Sequence, residues 1–170
     1  YDDDTQVLIS VETLEHALYL QQKLPEFTVV YAGQGYDDDE VARLSKKFEL
    51  FREMPPKRKA KLTRMFEKGK LKKVIATTTW NIGVDFRNLE VLIRGDAGGS
   101  PINDTQIPGR TSRINSALVK QDGTAVKGVA KVHDYRDQFD TGLNRKAQGR
   151  ERSYEANNWT QVDAPRQVSK

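Results

Sequence analysis

Two clusters of glycine, hydroxyl and charged residues carry the side chains best suited to chemistry in this sequence. The first cluster is Thr77–Asp85 and the second is Gln106–Arg113. In the second cluster Arg110 and Arg113 stand three residues apart behind Gly109, so both arginines share one face of a predicted helix. Arginine suits an enzyme that cleaves a nucleoside triphosphate, because its guanidinium is planar, permanently charged and bidentate toward phosphate oxygens. The spacing by itself is weak evidence for such a role, because two solvated helix arginines, paired for example with Asp104, would show the same pattern.

The first cluster directly follows the apolar run Val74–Ala76. Thr77 and Thr78 therefore stand at the carboxyl end of a predicted strand, where open α/β sheets bind their ligands. Their hydroxyls suit the backbone phosphates of a nucleic acid. Gly83 permits a close backbone approach, and Asp85 suits an arginine or a ribose hydroxyl as partner. The alternative is a plain strand exit followed by a turn.

Five short apolar runs predict the strands that position these clusters, and most of them do not alternate with polar residues. Such runs are typical of a parallel sheet covered on both faces. Helical patterns at 14–24 and 57–68 lie between them. We therefore predict a three-layer α/β domain at 1–140, with a mostly parallel central sheet and helices on both faces. The runs are Val7–Ile9, Phe27–Val30, Val74–Ala76, Val91–Ile93 and Val129–Val132.

Two segments fit this alternation less well. Apolar spacing between Asp38 and Glu53 predicts an additional helix, which we interpret as an insertion at about 36–54. The polar, arginine-rich extension at 141–170 shows no regular period beyond Tyr154 and Trp159. The extension is either partly disordered or packed against another part of a larger protein.

Composition limits the partners and the compartment. The chain has 170 residues, a formal charge of +4 and no cysteine. The mildly basic balance permits a nucleic-acid partner without requiring one. The lack of cysteine excludes disulfides and thiolate catalysis. No apolar run approaches the roughly 20 residues that span a bilayer. A start at Tyr1 without methionine reads as a piece excised from a longer polypeptide.

The two clusters together resemble motifs V and VI of the superfamily 2 helicases, within the second RecA-like domain, and the resemblance runs roughly from Thr5 to Asp137. It implies that Arg110 and Arg113 reach across a cleft to the γ-phosphate of ATP, with Gln106 coupling the nucleotide to the cleft. It also implies that the nucleotide faces Gly83, Asp85 and Gly109, and that Thr77 and Thr78 hold a nucleic-acid strand.

A softer resemblance places two more residues on the nucleic-acid track. The segment Val7–Thr13 is similar to motif IV, where a strand leads into a helix whose first amides meet a phosphate near Ser10. Ser10 and Thr13 are alternatively plain helix caps. Tyr31–Gly33 is similar to a short aromatic-x-Gly element of the family, which implies a backbone contact at Gly33.

The motifs that hold a nucleotide's phosphates are missing, because the sequence has no G-x-x-x-x-G-K-[ST] loop and no D-E-x-x box after a predicted strand. The resemblance therefore implies a second motor lobe, whose ATP and Mg²⁺ are held by an N-terminal lobe of the same polypeptide. We expect the chain alone to hydrolyse no ATP. The branch that it most resembles contains phage and bacterial DNA-repair and recombination helicases, which favours DNA over RNA and a bacterial or phage-infected host cytoplasm.

Two other functions remain open from the sequence. One is a non-catalytic RecA-like module that binds nucleic acid or acts as a scaffold, although such a module has no need of an arginine pair. The other is an unrelated α/β enzyme with a small-molecule site, for which a nucleophile–base pair is lacking. A dense basic run from Lys57 to Lys73 is either a phosphate track or the solvated face of a helix.

Overall fold

The computed structural model describes residues 1–33, 36–77, 89–96, 131–136 and 140–162. Within these ranges the chain forms five strands and four helices, and the strands fall on the five predicted apolar runs. In chain order the elements are β1 (Val7–Val11), α1 (Leu14–Lys23), β2 (Thr28–Val30), α2 (Asp38–Lys47), α3 (Pro56–Glu67), β3 (Lys73–Thr77), β4 (Val91–Arg94), β5 (Lys131–His133) and α4 (Thr141–Ala156).

The strands form one open sheet in the order β2-β3-β1-β4-β5. Every described strand pair is parallel, and Ile9 of the central strand β1 is in register with Ile75 of β3 and Ile93 of β4. Because parallel strands begin at one edge of a sheet and end at the other, all five carboxyl ends lie along the same edge. The predicted parallel α/β architecture is confirmed.

Helices cover both faces of the sheet, as the continuous apolar runs indicate. Successive strand side chains point to opposite faces, so Val7, Ile9 and Val11 pack with α1 and α2 on one face. Leu8 packs on the other face, where the fully buried Phe66 of α3 meets it. Full burial of a phenylalanine of this kind contributes roughly 1.5–3 kcal/mol, so both faces of the sheet stabilise the fold.

Local capping residues set the starts of three helices. Thr13 caps α1, and its hydroxyl accepts a hydrogen bond from the His16 amide at 3.2 Å. Asp37 caps α2, with its carboxylate accepting from the Glu40 amide at 2.8 Å. The acidic stretch there is a helix start, which the helix dipole favours. Helix α3 begins at Pro56, the position at which proline's fixed φ and missing N–H cost least.

The predicted additional helix is α2, and it ends at Lys47, earlier than the pattern suggested. The chain then returns along 48–54 in irregular structure, with Phe48, Phe51 and Met54 buried against the α1 face of the sheet. The apolar spacing that extends the predicted helix beyond Lys47 therefore belongs to buried side chains of an irregular segment.

The polar extension contains a helix that the sequence pattern did not indicate. Helix α4 starts at Asp140, whose carboxylate accepts from the amides of Gly142 at 2.7 Å and Leu143 at 3.1 Å. Its buried residues are Ala147, Arg150 and Tyr154. They follow helical spacing, but two of the three are polar, so a search for apolar periodicity misses them. Its residues belong to the predicted 141–170 extension, and the division of the chain at 140 stays a prediction.

Candidate functional site

The carboxyl edge of the sheet brings together three of the predicted site residues. Val11 of β1 is in register with Thr77 of β3, and Ser10 with Ala76, so Ser10 and Thr77 lie on neighbouring strands. Gly33 follows the end of β2, which pairs with β3 on its other side. This is the edge at which open α/β sheets bind ligands. The topology therefore places Ser10, Thr77 and Gly33 on one ligand-competent edge.

Two of these side chains lie beneath the surface. Ser10 is 0% exposed and Thr77 is 4% exposed. The peptide oxygen of Ser10 accepts a hydrogen bond from the Gly95 amide at 2.7 Å. A nucleic-acid strand bound at this edge would therefore meet Ser10 and Thr77 hydroxyls that the protein already covers. Their contact with nucleic acid stays a prediction.

Gly33 is a glycine for a reason of packing. A Cβ built on Gly33 would lie 2.3 Å from the peptide oxygen of Met54. The segment 48–54 thus returns so close to the end of β2 that no larger residue fits at position 33 without a backbone shift. The close approach of Met54 accounts for a glycine at this position. The backbone contact of Gly33 with nucleic acid stays a prediction.

The remaining predicted site residues fall outside the described residues. The chain leaves β3 after Thr77 and leaves the end of β4 after Asp96, in both cases at the carboxyl edge. Thr77 opens the first sequence cluster, and the second cluster begins at Gln106, outside the described residues. The predicted residues outside the described ranges are Thr78, Gly83, Asp85, Gln106, Gly109, Arg110 and Arg113.

A buried charged network lies at the same edge, and sequence reasoning missed it. Arg94, the last residue of β4, has a fully buried side chain. Its Nη2 donates to Asp96 Oδ2 at 2.7 Å, and its Nε lies 3.3 Å from Asp96 Oδ1, so the pair is bidentate. Its Nη1 donates to the Tyr154 hydroxyl of α4 at 3.1 Å. The strand end is thereby joined to the C-terminal helix.

A second ion pair continues the network at the end of β5. The Tyr154 hydroxyl donates to Asp134 Oδ2 at 2.7 Å, and Arg150 Nε donates to the same oxygen at 2.7 Å. Arg150 Nη2 also donates to the peptide oxygen of Tyr135 at 3.0 Å. Each of the two buried arginines is therefore paired with an aspartate, as a buried charge requires.

Electrostatics fix the proton positions in this network. Burial alone would lower the pKa of Arg94, but its hydrogen bonds to Asp96 and the charge of that carboxylate raise the pKa above its ordinary value. Burial, together with the Asp134 carboxylate, raises the pKa of Tyr154 against the opposing charge of Arg94. Arg94 therefore stays charged and Tyr154 stays protonated at neutral pH, so the hydroxyl accepts from one neighbour and donates to the other.

The sequence carries part of the signal for this network, and the rest depends on the fold. Arg94 and Asp96 stand two apart at a strand end, and Arg150 and Tyr154 stand four apart on a helix, so each pair shares one side of its element. An arginine at the end of an apolar run is a candidate for burial only if a partner is available. Its partner Tyr154 is 60 residues away in the sequence, and only the fold brings it close.

The basic run is mainly the outer side of α3. Phe66 is buried and Leu62 is partly buried beneath the helix, whereas the exposed cations of the run are Lys57, Arg58, Lys61, Arg64, Lys68 and Lys70. At the end of the run, Lys73 pairs with Asp3 at 2.9 Å. Such a face is available to a phosphate backbone as a minor, sequence-independent contributor.

Two structural absences hold for the described part of the chain only. In residues 1–33, 36–77, 89–96, 131–136 and 140–162 no three histidines, aspartates or glutamates are grouped as metal ligands. None of the helices in these same ranges has the length and the apolar character needed to cross a membrane.

Comparison with known proteins identifies the family. The family model for the helicase conserved C-terminal domain matches residues 2–115. The fold is similar to the C-terminal domain of the DEAD-box protein Dbp5, with 17% identity and a TM-score of 0.57 over 89% of this chain and 71% of that chain. It is also similar to a variant of that domain from S. cerevisiae bound to a Gle1 variant and IP6, with 16% identity and a TM-score of 0.53 over 88% of this chain and 70% of that one.

At these identities the two structures establish the fold alone, and no curated protein sequence matches the chain. The family model, by contrast, spans more than half of the sequence and includes both glycine-and-charge clusters. The chain therefore belongs to the helicase conserved C-terminal domain family, the C-terminal RecA-like lobe of superfamily 2 helicases.

Proposed function

We propose that this chain is the second motor lobe of an ATP-dependent helicase or translocase, and that Arg110 and Arg113 act on ATP held by an N-terminal lobe. The observation that carries the proposal is the shared carboxyl edge, where Ser10 and Gly33 lie together with Thr77, the first residue of the first cluster. Family membership supports a motor role, because lobes of this kind work in pairs.

In the proposed mechanism the arginines neutralise charge on the transferred phosphoryl group, with Gln106 linking them to the rest of the cleft. Hydrolysis then requires closure of the two lobes, because the arginines are supplied from the lobe that does not hold the phosphates. Gly83, Asp85 and Gly109 form the nucleotide-facing part of this lobe. Closure moves the edge with Ser10, Thr77 and Thr78 relative to a bound strand, which converts hydrolysis into movement.

The residues of this chain do not fit a complete Mg²⁺–ATP site. The sequence lacks a phosphate-cradling loop, and the described carboxylates are not grouped as ligands for a metal ion. Mg²⁺ prefers carboxylates together with the substrate's phosphates. We therefore assign the phosphates and Mg²⁺ to the N-terminal lobe, and we expect the isolated chain to show no useful ATPase rate.

The test is turnover by a polypeptide that carries both lobes. Arg110→Ala and Arg113→Ala should each reduce kcat by about 10³ or more, the scale of a lost arginine finger. The matched control is Arg145→Ala, which removes an exposed arginine of α4 and should leave kcat unchanged. Normal turnover in both finger variants would refute the assignment. A robust ATPase rate from the isolated chain would refute the division of labour between the lobes.

For the polymer we propose single-stranded nucleic acid, with DNA preferred on the strength of the resemblance to phage and bacterial DNA-repair and recombination helicases. On the same resemblance we propose a bacterial or phage-infected host cytoplasm as its location. Binding of DNA and RNA oligonucleotides of one sequence, measured against salt concentration, tests the polymer. Tighter binding of the RNA would overturn the DNA preference and leave the motor assignment intact.

A further inference from the structure

The carboxyl end of β4 is held very close to β1. The Gly95 amide donates to the peptide oxygen of Ser10 at 2.7 Å, and Ser10 is in register with Arg94. A Cβ built on Gly95 would lie 3.2 Å from that oxygen and 3.2 Å from Val11 Cγ1. Glycine at this position thus allows the strand ends to approach closely. Arg94 and Gly95 are therefore the direct neighbours of Ser10 on the β4 side.

Arg94 itself is hydrogen-bonded to partners that lie outside β1. Its guanidinium is fully buried, bidentate to Asp96 and hydrogen-bonded to the Tyr154 hydroxyl at 3.1 Å. A buried guanidinium that loses a partner moves or admits water, because an unsatisfied buried charge is costly. The position of the end of β4 therefore depends on the hydrogen-bond partners of Arg94.

Tyr154 connects this strand end to α4 and to the end of β5. Its hydroxyl donates to Asp134 at 2.7 Å, and its ring stacks on Trp159 with centroids 5.5 Å apart. Asp134 also accepts a hydrogen bond from Arg150, which lies one helical turn before Tyr154 on α4. Both the hydroxyl and the ring of Tyr154 are thus constrained, and the hydroxyl lies between two opposite charges.

We infer that Tyr154 is a positioning residue for the nucleic-acid edge: acting through Arg94, it holds the end of β4 against Ser10 of β1. The inference rests on the proposed function for the purpose of that edge, but its structural part stands on described contacts alone. Helix α4 then contributes to the function of the lobe, although the family match ends at residue 115.

The first test is hydrogen exchange of single amides in this chain by NMR. Tyr154→Phe removes one oxygen and should speed exchange of the Gly95 amide about fivefold or more, the effect of weakening one hydrogen bond. The Val91 amide, which donates to the Gln6 peptide oxygen at the opposite end of β4, is the internal reference and should not change. Tyr135→Phe is the matched control, since Tyr135 is 66% exposed.

Unchanged exchange at Gly95 would overturn the inference. Equal acceleration at Gly95 and Val91 would also overturn it, because it would mean a general loss of stability. If Tyr154→Phe does not fold, Asp134→Asn carries the same expectation, since it removes the charge that orients the hydroxyl and leaves the ring in place.

The second test separates this inference from the proposed function. Binding of a fluorescent single-stranded DNA should weaken about threefold or more in Tyr154→Phe relative to Tyr135→Phe, with the same dependence on salt, because no cation is removed. Equal affinities in the two variants would reduce Tyr154 to a structural residue. A wild-type chain that binds neither DNA nor RNA would contradict the proposed function, and the Gly95 exchange rate would still decide whether Tyr154 positions the strand end.

Discussion

Replacement of Gly33 by alanine tests the close approach of the segment 48–54 to the sheet edge. The added Cβ would lie 2.3 Å from the Met54 peptide oxygen, whereas ordinary contacts begin near 3.4 Å. The oxygen must therefore retreat by about 1 Å. It belongs to the backbone, so no side-chain rotation relieves the clash.

The surroundings of Met54 resist that movement. Met54 and Phe51 are buried in the core cluster on the α1 face, and the Tyr31 hydroxyl donates to the peptide oxygen of Arg52 at 3.3 Å. Overpacking of this kind typically costs about 1–3 kcal/mol. For a chain of this size the melting temperature should fall by about 2–4 °C per kcal/mol, hence by roughly 2–12 °C in all.

The same substitution elsewhere in the chain provides the control. A Cβ on Gly149, inside α4, meets no atom within 4 Å. Alanine is the better helix former by about 0.5–1 kcal/mol, so Gly149→Ala should stabilise the protein. Urea unfolding followed by circular dichroism compares both variants with the wild type.

Opposite signs for the two glycines are the expected result. A Gly33→Ala variant as stable as the wild type, beside a stabilised Gly149→Ala, would show that Met54 does not restrict the space at position 33. The predicted role of Gly33 in nucleic-acid binding is tested by the strand affinity of the same variant, measured where it is fully folded.

Two further predictions concern buried polar groups. The buried side-chain amide of Gln6 donates to the Phe66 and Leu71 peptide oxygens at 2.6 and 3.1 Å. Gln6→Met removes both hydrogen bonds and should lower the free energy of unfolding by about 1–3 kcal/mol. A urea midpoint equal to that of the control Gln148→Met, at an exposed position, would contradict this. Burial raises the pKa of Tyr154 above 10.0, so its contribution to stability is complete below pH 10 and decreases as pH rises further, by at most about 1.4 kcal/mol per pH unit. Urea midpoints at pH 8–11 should therefore fall less steeply in Tyr154→Phe, and equal slopes would refute the effect.

The sequence by itself determined those features whose causes are local. Continuous apolar runs such as Val74–Ala76 predicted strands buried on both faces, because parallel strands in a three-layer domain have no solvent face. Thr13 and Pro56 set helix starts through their own hydroxyl or ring. The resemblance of the glycine and arginine clusters to helicase motifs V and VI indicated the family, and the family match confirmed it at the level of the helicase conserved C-terminal domain.

Only the tertiary structure decided the features that depend on distant partners. The strand order β2-β3-β1-β4-β5 cannot be read from strands of similar composition. Helix α4 buries Arg150 and Tyr154, and their partners include Asp134 and Arg94, which are distant in the sequence. Gly33 is explained by Met54, 21 residues later. Long-range charge pairing and backbone proximity leave no local period in a sequence, and for that physical reason the network at the end of β4 appeared only in the folded chain.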